Sequence, residues 1–305
     1  MWASLAIVAP SFGLIGIGYL ARRFGVLSER ASDGLSEFVF TLAIPCLTFG
    51  MLARAKIPAV QPWGYWLAYF LAVAVVWSVG TLVSRHVFGV DRTTAVVAGF
   101  LAGQANTVFV GIPMILKAYG EEGAVPLFLL VAVHLPVVMI AATLLIEGSR
   151  TSPARIVRRL VSNPITLGIL GGALASFVSG FIPDPVWRII DLLASAAVPC
   201  ALIAMGAALH RYGMEAGWPL PAFLSALKLV AHPLLVYILA TQVFGMPRAW
   251  AGVAVLFAAC PCGINAYLFA EHYKEGVALA SSSIALSTAL AVVSTIVWLQ
   301  VLGVG

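Results

Sequence analysis

Two stretches of this sequence hold polar residues where an apolar helix would not choose them. The first is Gly103-Gln104-Ala105-Asn106-Thr107-Val108-Phe109-Val110-Gly111-Ile112-Pro113, and the second is Cys260-Pro261-Cys262-Gly263-Ile264-Asn265. Proline lacks an N–H and crowds the preceding turn, and glycine weakens a helix further, so both stretches interrupt the helix that carries them. An interrupted helix offers C=O groups at one new end and N–H groups at the other. The N–H end carries partial positive charge and holds an anion without a charged side chain. Asn106, Thr107 and Asn265 add neutral donors and acceptors, while Gly111, Pro113, Pro261 and Gly263 shape the breaks. The chemistry this suits is reversible binding of a small carboxylate. The plainer alternative is that both asparagines only satisfy backbone groups freed at two kinks.

A third feature is Lys228, ten residues into an apolar segment that runs over 218–244. An ionisable residue at mid-membrane depth costs at least about 2.5–3.5 kcal/mol, which marks it as a functional candidate. It reads as a fixed positive charge or a titrating coupling group, with snorkelling to the interface as the alternative. His232 lies one turn further along the same face, as a partner of Lys228 or as a ring bonded to a carbonyl ahead of Pro233. His134, ahead of Pro136, has the same ambiguity and is read as structural. Backbone carbonyls with Ser287 and Thr288 offer a sodium route, so coupling stays open between H+, Na+ and none. Asp33, Asp91, Asp184 and Asp191 all fall at or near segment ends. The sequence contains no Gly-x-Ser-x-Gly and no His-Glu-x-x-His, so enzyme activity is not expected. Cys46, Cys200, Cys260 and Cys262 sit inside apolar segments and read as small hydrophobes; no metal and no cofactor is expected.

The elements that must position these residues are membrane helices. Of 305 residues, 62% are hydrophobic and 10% charged, with mean hydropathy +1.03, whereas a soluble domain is roughly 25% charged. Ten apolar spans can be marked, at 3–21, 34–53, 63–84, 93–116, 124–146, 161–182, 186–209, 218–244, 249–270 and 277–302. Most reach the roughly 20 residues needed to cross about 30 Å of hydrocarbon. Nothing positive precedes the first span and Arg22-Arg23 follow it, so it reads as a span and not a cleaved signal. Ser28 and Ser32 look like helix-start residues, and Pro153 and Asn163-Pro164 punctuate the polar join Glu147 to Ser162.

The net charge of +5 follows membrane orientation. Loops after odd-numbered spans hold eleven basic residues: Arg22, Arg23, Arg30, Arg85, Arg92, Arg150, Arg155, Arg158, Arg159, Arg211 and Lys274. The other loops hold five: Arg54, Lys56, Lys117, Arg188 and Arg248. Positive loops stay cytoplasmic, so both termini are expected on the outer side of a cytoplasmic (inner) membrane. Nucleic-acid binding is not indicated, because no basic face forms; Arg155 to Arg159 are placed to meet anionic lipid head groups.

The chain also repeats itself. Ala43-Ile44-Pro45-Cys46-Leu47 recurs as Ala197-Val198-Pro199-Cys200-Ala201, and Tyr119-Gly120-Glu121 loosely as Tyr273-Lys274-Glu275, both 154 residues on. The same offset carries Gly18 onto Gly172 and the first break onto the second. Five spans per half is an odd number, so the halves insert in opposite directions. The expectation is a first repeat at 1–150 and a second, inverted one at 151–305. Gly13, Gly16 and Gly18, like Gly168, Gly171 and Gly172, read as helix-packing positions.

These residues resemble the auxin efflux carrier family, which includes plant auxin exporters and bacterial malonate carriers. The resemblance runs over the whole chain: Gly18-Tyr19-Leu20, Gly25-Val26-Leu27, Ile44-Pro45, Asn106-Thr107-Val108-Phe109-Val110-Gly111-Ile112-Pro113, Asn163-Pro164, Val198-Pro199, Lys228 with Pro233, Pro261-x-Gly263-x-Asn265-Ala266, and Ser287-Thr288. It implies an all-α membrane fold of ten helices, similar to that of bile-acid–sodium symporters. Spans 1, 2, 6 and 7 would form a scaffold and spans 3–5 and 8–10 a mobile core. Spans 4 and 9 would cross at their breaks, where the substrate binds. The function implied is secondary transport of small organic anions, malonate-like or auxin-like. A membrane channel or a non-transporting sensor is the rival. The partners expected are the anion, the lipid bilayer and, as a candidate, a second copy of the chain.

Overall fold

The structure is a computed structural model that describes residues 2–55, 63–147, 162–211 and 216–304. Lys56, Arg150, Pro153, Arg155, Arg158 and Arg159, invoked above for orientation, lipid contact and punctuation, lie outside the described residues. Among those described, regular structure is helical throughout, apart from one isolated antiparallel bridge between Ala105 and Cys262.

The helices are α1 (Trp2–Arg23), α2 (Glu29–Arg54), α3 (Trp63–His86), α4 (Arg92–Gly103), α5 (Ile112–Tyr119), α6 (Ala124–Glu147), α7 (Pro164–Ala175), α8 (Asp184–Leu209), α9 (Pro219–Val243), α10 (Arg248–Ala259), α11 (Ile264–Tyr273) and α12 (Val277–Val301). Among the described residues, six helical stretches are long and apolar enough to cross a membrane: Glu29–Arg54, Trp63–His86, Thr107–Ile146, Asp184–Leu209, Pro219–Val243 and Val277–Val301. The third of these, Thr107–Ile146, contains the tight turn Gly120–Gly123. The chain is therefore a multi-pass, all-helical membrane protein.

Local sequence sets where several of these helices begin and where they widen. Ser28 caps α2 by accepting from Ala31 N–H, Asp91 caps α4, and Asn163 caps α7 just ahead of Pro164. Each cap satisfies an otherwise orphaned N–H of the first turn. Of four wide π turns among the described residues, three, Val39–Ala43, Thr107–Gly111 and Leu227–Ala231, end two residues before Pro45, Pro113 and Pro233, and the fourth, Leu239–Val243, closes α9. In each of the three, the N–H just ahead of the proline reaches five residues back: Ile44 to Val39, Ile112 to Thr107 and His232 to Leu227. The proline ring crowds the turn before it, and the wider turn accommodates that crowding. The segment expected over 161–182 yields a shorter helix, with Ser176 and Ser179 turning their hydroxyls onto nearby carbonyls past its end. Serine side chains compete with helix hydrogen bonds in this way.

Small residues set the packing. Gly18 of α1 abuts the Ile203 carbonyl of α8, and Gly206 of α8 abuts the Ile15 carbonyl of α1. Gly172 of α7 likewise abuts the Phe49 carbonyl of α2. At each of these places a Cβ would strike backbone. Gly18 and Gly172 stand 154 residues apart, as do Phe49 and Ile203. Antiparallel α2 and α8 are tied at both ends. The Arg54 guanidinium meets Asp191 in two bonds of 2.8 and 2.9 Å and lies 4.2 Å from the Trp187 ring centre, and Arg211 meets Asp33 at 2.6 Å. Both pairs are largely exposed, so they steer this packing more than they hold it.

Candidate functional site

The two sequence breaks meet. α4 ends at Gly103 and the chain resumes as helix at Thr107; α10 ends at Ala259 and resumes at Ile264. The connecting residues run antiparallel and exchange two backbone hydrogen bonds: Asn106 N–H donates to the Pro261 carbonyl at 2.9 Å, and Gly263 N–H to the Gln104 carbonyl at 3.3 Å. Groups that lipid could not satisfy are thus satisfied by each other. The approach is close enough that a Cβ on Gly263 would overlap the Gln104 carboxamide, and one on Gly111 would lie 3.0 Å from Cys260 Sγ. Neither resuming helix has a side-chain cap at its start, which leaves its first N–H groups to other acceptors.

A cavity of about 790 Å³ opens from this crossing. Gln104, Asn106, Thr107 and Asn265 line its head, Phe40, Phe109 and Phe269 its walls, and Asn163, Thr166, His272 and Tyr273 its far end, where α7 begins and α11 ends. Its described lining holds no Lys, Arg, Asp or Glu. Asn106 is 4% exposed, and its Nδ2 donates to Met205 Sδ on α8 at 3.1 Å. Gln104 Nε2 donates to the Ala105 carbonyl at 2.9 Å, while its buried Oε1 has no partner among the described residues. Neutral amide N–H groups and helix starts are donors that can bind a carboxylate and release it.

Of the residues singled out from sequence, the structure gathers Asn106, Thr107, Pro261, Gly263 and Asn265 at the crossing. Gly111 packs behind it against Cys260, and Pro113 is buried in the first turn of α5. Lys228 and His232 stand apart from the cavity lining. Lys228 is fully buried, which sets the snorkelling alternative aside. Its Nζ donates to the Ala258 carbonyl in the last turn of α10 at 2.7 Å and lies 3.1 Å from His232 Nδ1. Ser287 Oγ accepts from Cys262 N–H at 3.1 Å and donates to the Ile284 carbonyl, so its hydroxyl is engaged in holding the second break.

His134 does more than sequence reasoning gave it. Its Nε2 accepts from Ala105 N–H at 3.3 Å and its Nδ1 lies 3.1 Å from Tyr69 Oη. A ring that accepts at Nε2 carries its proton on Nδ1, so Nδ1 donates to the tyrosine. The Tyr69 ring in turn packs on the His232 ring, with centroids 5.6 Å apart. One buried chain of contacts therefore links the two breaks: Ala105, His134, Tyr69, His232, Lys228 and Ala258. Tyr69 carried no signal in the sequence, because a tyrosine in an apolar helix is ordinary. Thr166 and His272 were missed as cavity residues because they mark helix ends.

Apolar helices broken in mid-span, crossing beside a polar-headed cavity, define a membrane transporter. The chain matches the family profile described as "Membrane transport protein" twice, over residues 4–154 and again over 149–299, and it belongs to that family, the auxin efflux carriers. It is 32% identical over 306 residues to a Rhizobium meliloti protein named "Putative malonate transporter", covering 94% of this chain and 92% of that one. It is 27% identical to an "Uncharacterized transporter" of Methanothermobacter thermautotrophicus, covering 95% of each. A match at 27% identity to "Probable auxin efflux carrier component 9" of Oryza sativa subsp. japonica covers 48% of this chain and 36% of that protein.

Proposed function

We propose that the protein is a secondary carrier of small organic anions, malonate-like dicarboxylates first, working by alternating access in a cytoplasmic membrane. The observation that carries this reading is the crossing of the two breaks at the head of the cavity. Broken spans at corresponding places in two halves point to a transporter's binding site. The ten-span inverted repeat, with halves at 1–150 and 151–305, is supported by the double family match and by the equal spacing of the Gly18–Ile203 and Gly172–Phe49 contacts. The packing of α1 on α8 and of α2 on α7 and α8 supports a scaffold of spans 1, 2, 6 and 7. The remaining spans then form the moving core. The cavity reaches Asn163 at the start of α7 and His272 at the end of α11; with the positive loops cytoplasmic, this reading takes that side as the inner one and puts both termini outside.

In this reading Asn106, Thr107 and Asn265 contact the carboxylate, Pro261 and Gly263 supply the backbone frame, Gly111 and Pro113 set its shape, and Lys228 with His232 supplies the balancing charge. The aromatic walls, with Phe40 and Phe109 edge to face at 4.9 Å, favour a second substrate class, monocarboxylates with an apolar ring such as indole acids. Proteoliposome uptake of labelled malonate tests the reading. Saturable uptake and counter-exchange are expected, with Asn106→Ala and Asn265→Ala each losing about 1–3 kcal/mol, or roughly five- to 150-fold, in affinity. Steady current without exchange indicates a channel, binding without flux a sensor, and unchanged affinity in both variants returns the asparagines to a structural role. Competition by indole acetate separates the two substrate classes.

A further inference from the structure

We propose that Lys228 and His232 together form the proton-binding site that couples this carrier to H+. The inference rests on the transport reading above and adds its coupling ion. Three observations carry it. The Lys228 ammonium group reaches the Ala258 carbonyl, one turn from the second break, at the helix end whose partial charge is negative. His232 Nδ1 sits 3.1 Å from Nζ, so the pair shares one hydrogen bond that either side can donate. The other ring nitrogen, Nε2, is buried with no partner among the described residues, which leaves one end of the relay free to take up a proton. The titratable groups acting on the pair are Cys260 and Cys262 on the break, His134 on α6 and Tyr69 on α3. None is a carboxylate, so no fixed negative side chain pins the charge in place.

The step balances within the pair. A neutral amine at Nζ accepts a hydrogen bond from the His232 Nδ1–H tautomer. A proton arrives on Nε2, the Nδ1 proton passes to Nζ, and the products are an ammonium and the Nε2–H tautomer, whose Nδ1 now accepts. One proton enters and one positive charge is gained, with no other reactant. The gained charge tightens the hold on Ala258, and through Cys260 and Pro261 on the backbone bond to Asn106. Proton binding and the anion site are thereby one mechanical unit. The charge also offsets one carboxylate of a substrate whose described cavity lining holds no Lys or Arg.

The test uses the full chain in liposomes carrying a lumenal pH dye, with labelled malonate as probe. Malonate counter-exchange is read first, and protons moved per malonate are read separately during net uptake. Parent protein is expected to exchange malonate, to move protons with it, and to accumulate it under a pH gradient without sodium. Lys228→Arg holds its charge permanently, and His232→Gln cannot relay. In each, protons moved per malonate are expected to fall to the level of empty liposomes. Net malonate uptake by the parent without proton movement, accumulation driven by sodium alone, or a parental ratio in Lys228→Arg overturns the proton pair while leaving the carrier intact. Absence of malonate exchange in the parent overturns the carrier reading and this inference with it.

Discussion

Gly263→Ala tests whether the crossing is as tight as it looks. Gly263 has φ −86, a value alanine adopts freely, so the backbone imposes no strain. The obstacle is the Gln104 carboxamide, the nearest group to a Cβ built there. A side-chain end can move, so the cost is that of moving it. Gln104 is 2% exposed and must surrender its bond to the Ala105 carbonyl, worth about 1 kcal/mol. Leaving its rotamer adds about 0.5–1.5 kcal/mol. A total near 2 kcal/mol corresponds to roughly 30-fold weaker malonate binding if the strain falls on the bound state. Calorimetry on detergent-purified protein reads this directly. In Gln104→Ala the obstacle is gone, so adding Gly263→Ala to it should cost nothing further. Gly206→Ala is the contrasting control. There the new methyl meets the Ile15 carbonyl, backbone that cannot swing aside, and the loss appears as a lower unfolding temperature. The reasoning fails if Gly263→Ala binds malonate as parent does, or if the double variant loses the sum of both single effects.

Two further outcomes are expected. Asp91 accepts from Thr93 and Thr94 N–H at 2.8 and 3.0 Å, and its hydrogen bonds to Thr94, side chain first, hold the carboxyl below its usual range. A depressed folded value stabilises above the unfolded value near 3.9, and that stabilisation is lost as pH falls through the folded one. Hydrogen exchange in the first turn of α4 should therefore quicken only in acid. Asp91→Asn keeps the cap but should abolish that acid response, and its persistence would refute the assignment; Asp91→Ala costs about 1 kcal/mol at neutral pH. A phosphatase reporter fused after Gly305 should be active outside the cell, and activity of a cytoplasmic reporter at the same place would reverse the orientation.

Hydropathy alone marked the segments in which the helices form, because burial in lipid leaves a long apolar run as its signature. Gly103, Gly111, Pro113, Pro261 and Gly263 marked the breaks, since these residues cannot continue a helix without cost. Proline was an incomplete guide to the rest. Pro45, Pro113 and Pro233 each follow a π turn, yet Pro10, Pro136 and Pro199 sit inside α-helix. The pairing of the breaks was legible only as an expectation from resemblance, because two backbone hydrogen bonds have no residue code. The partner of Lys228 was hidden for the same reason. It is a main-chain carbonyl thirty residues away, exposed only because α10 stops there. His134 looked like a packing residue because its acceptor role depends on Ala105 having left helical geometry.

The bond from Asn106 to Met205 has a consequence for speed. The asparagine belongs to the break and the methionine to α8, so under the alternating-access cycle proposed above this contact forms and parts at every turnover. Sulfur accepts a hydrogen bond weakly, and the unbranched thioether yields easily to a changed neighbour. The contact therefore behaves as a greased bearing, guiding the amide without gripping it. Every 1.4 kcal/mol of grip that had to be released in the rate-limiting step would slow the cycle about tenfold. An oxygen in place of that sulfur would locate Asn106 more firmly and leave the carrier slower.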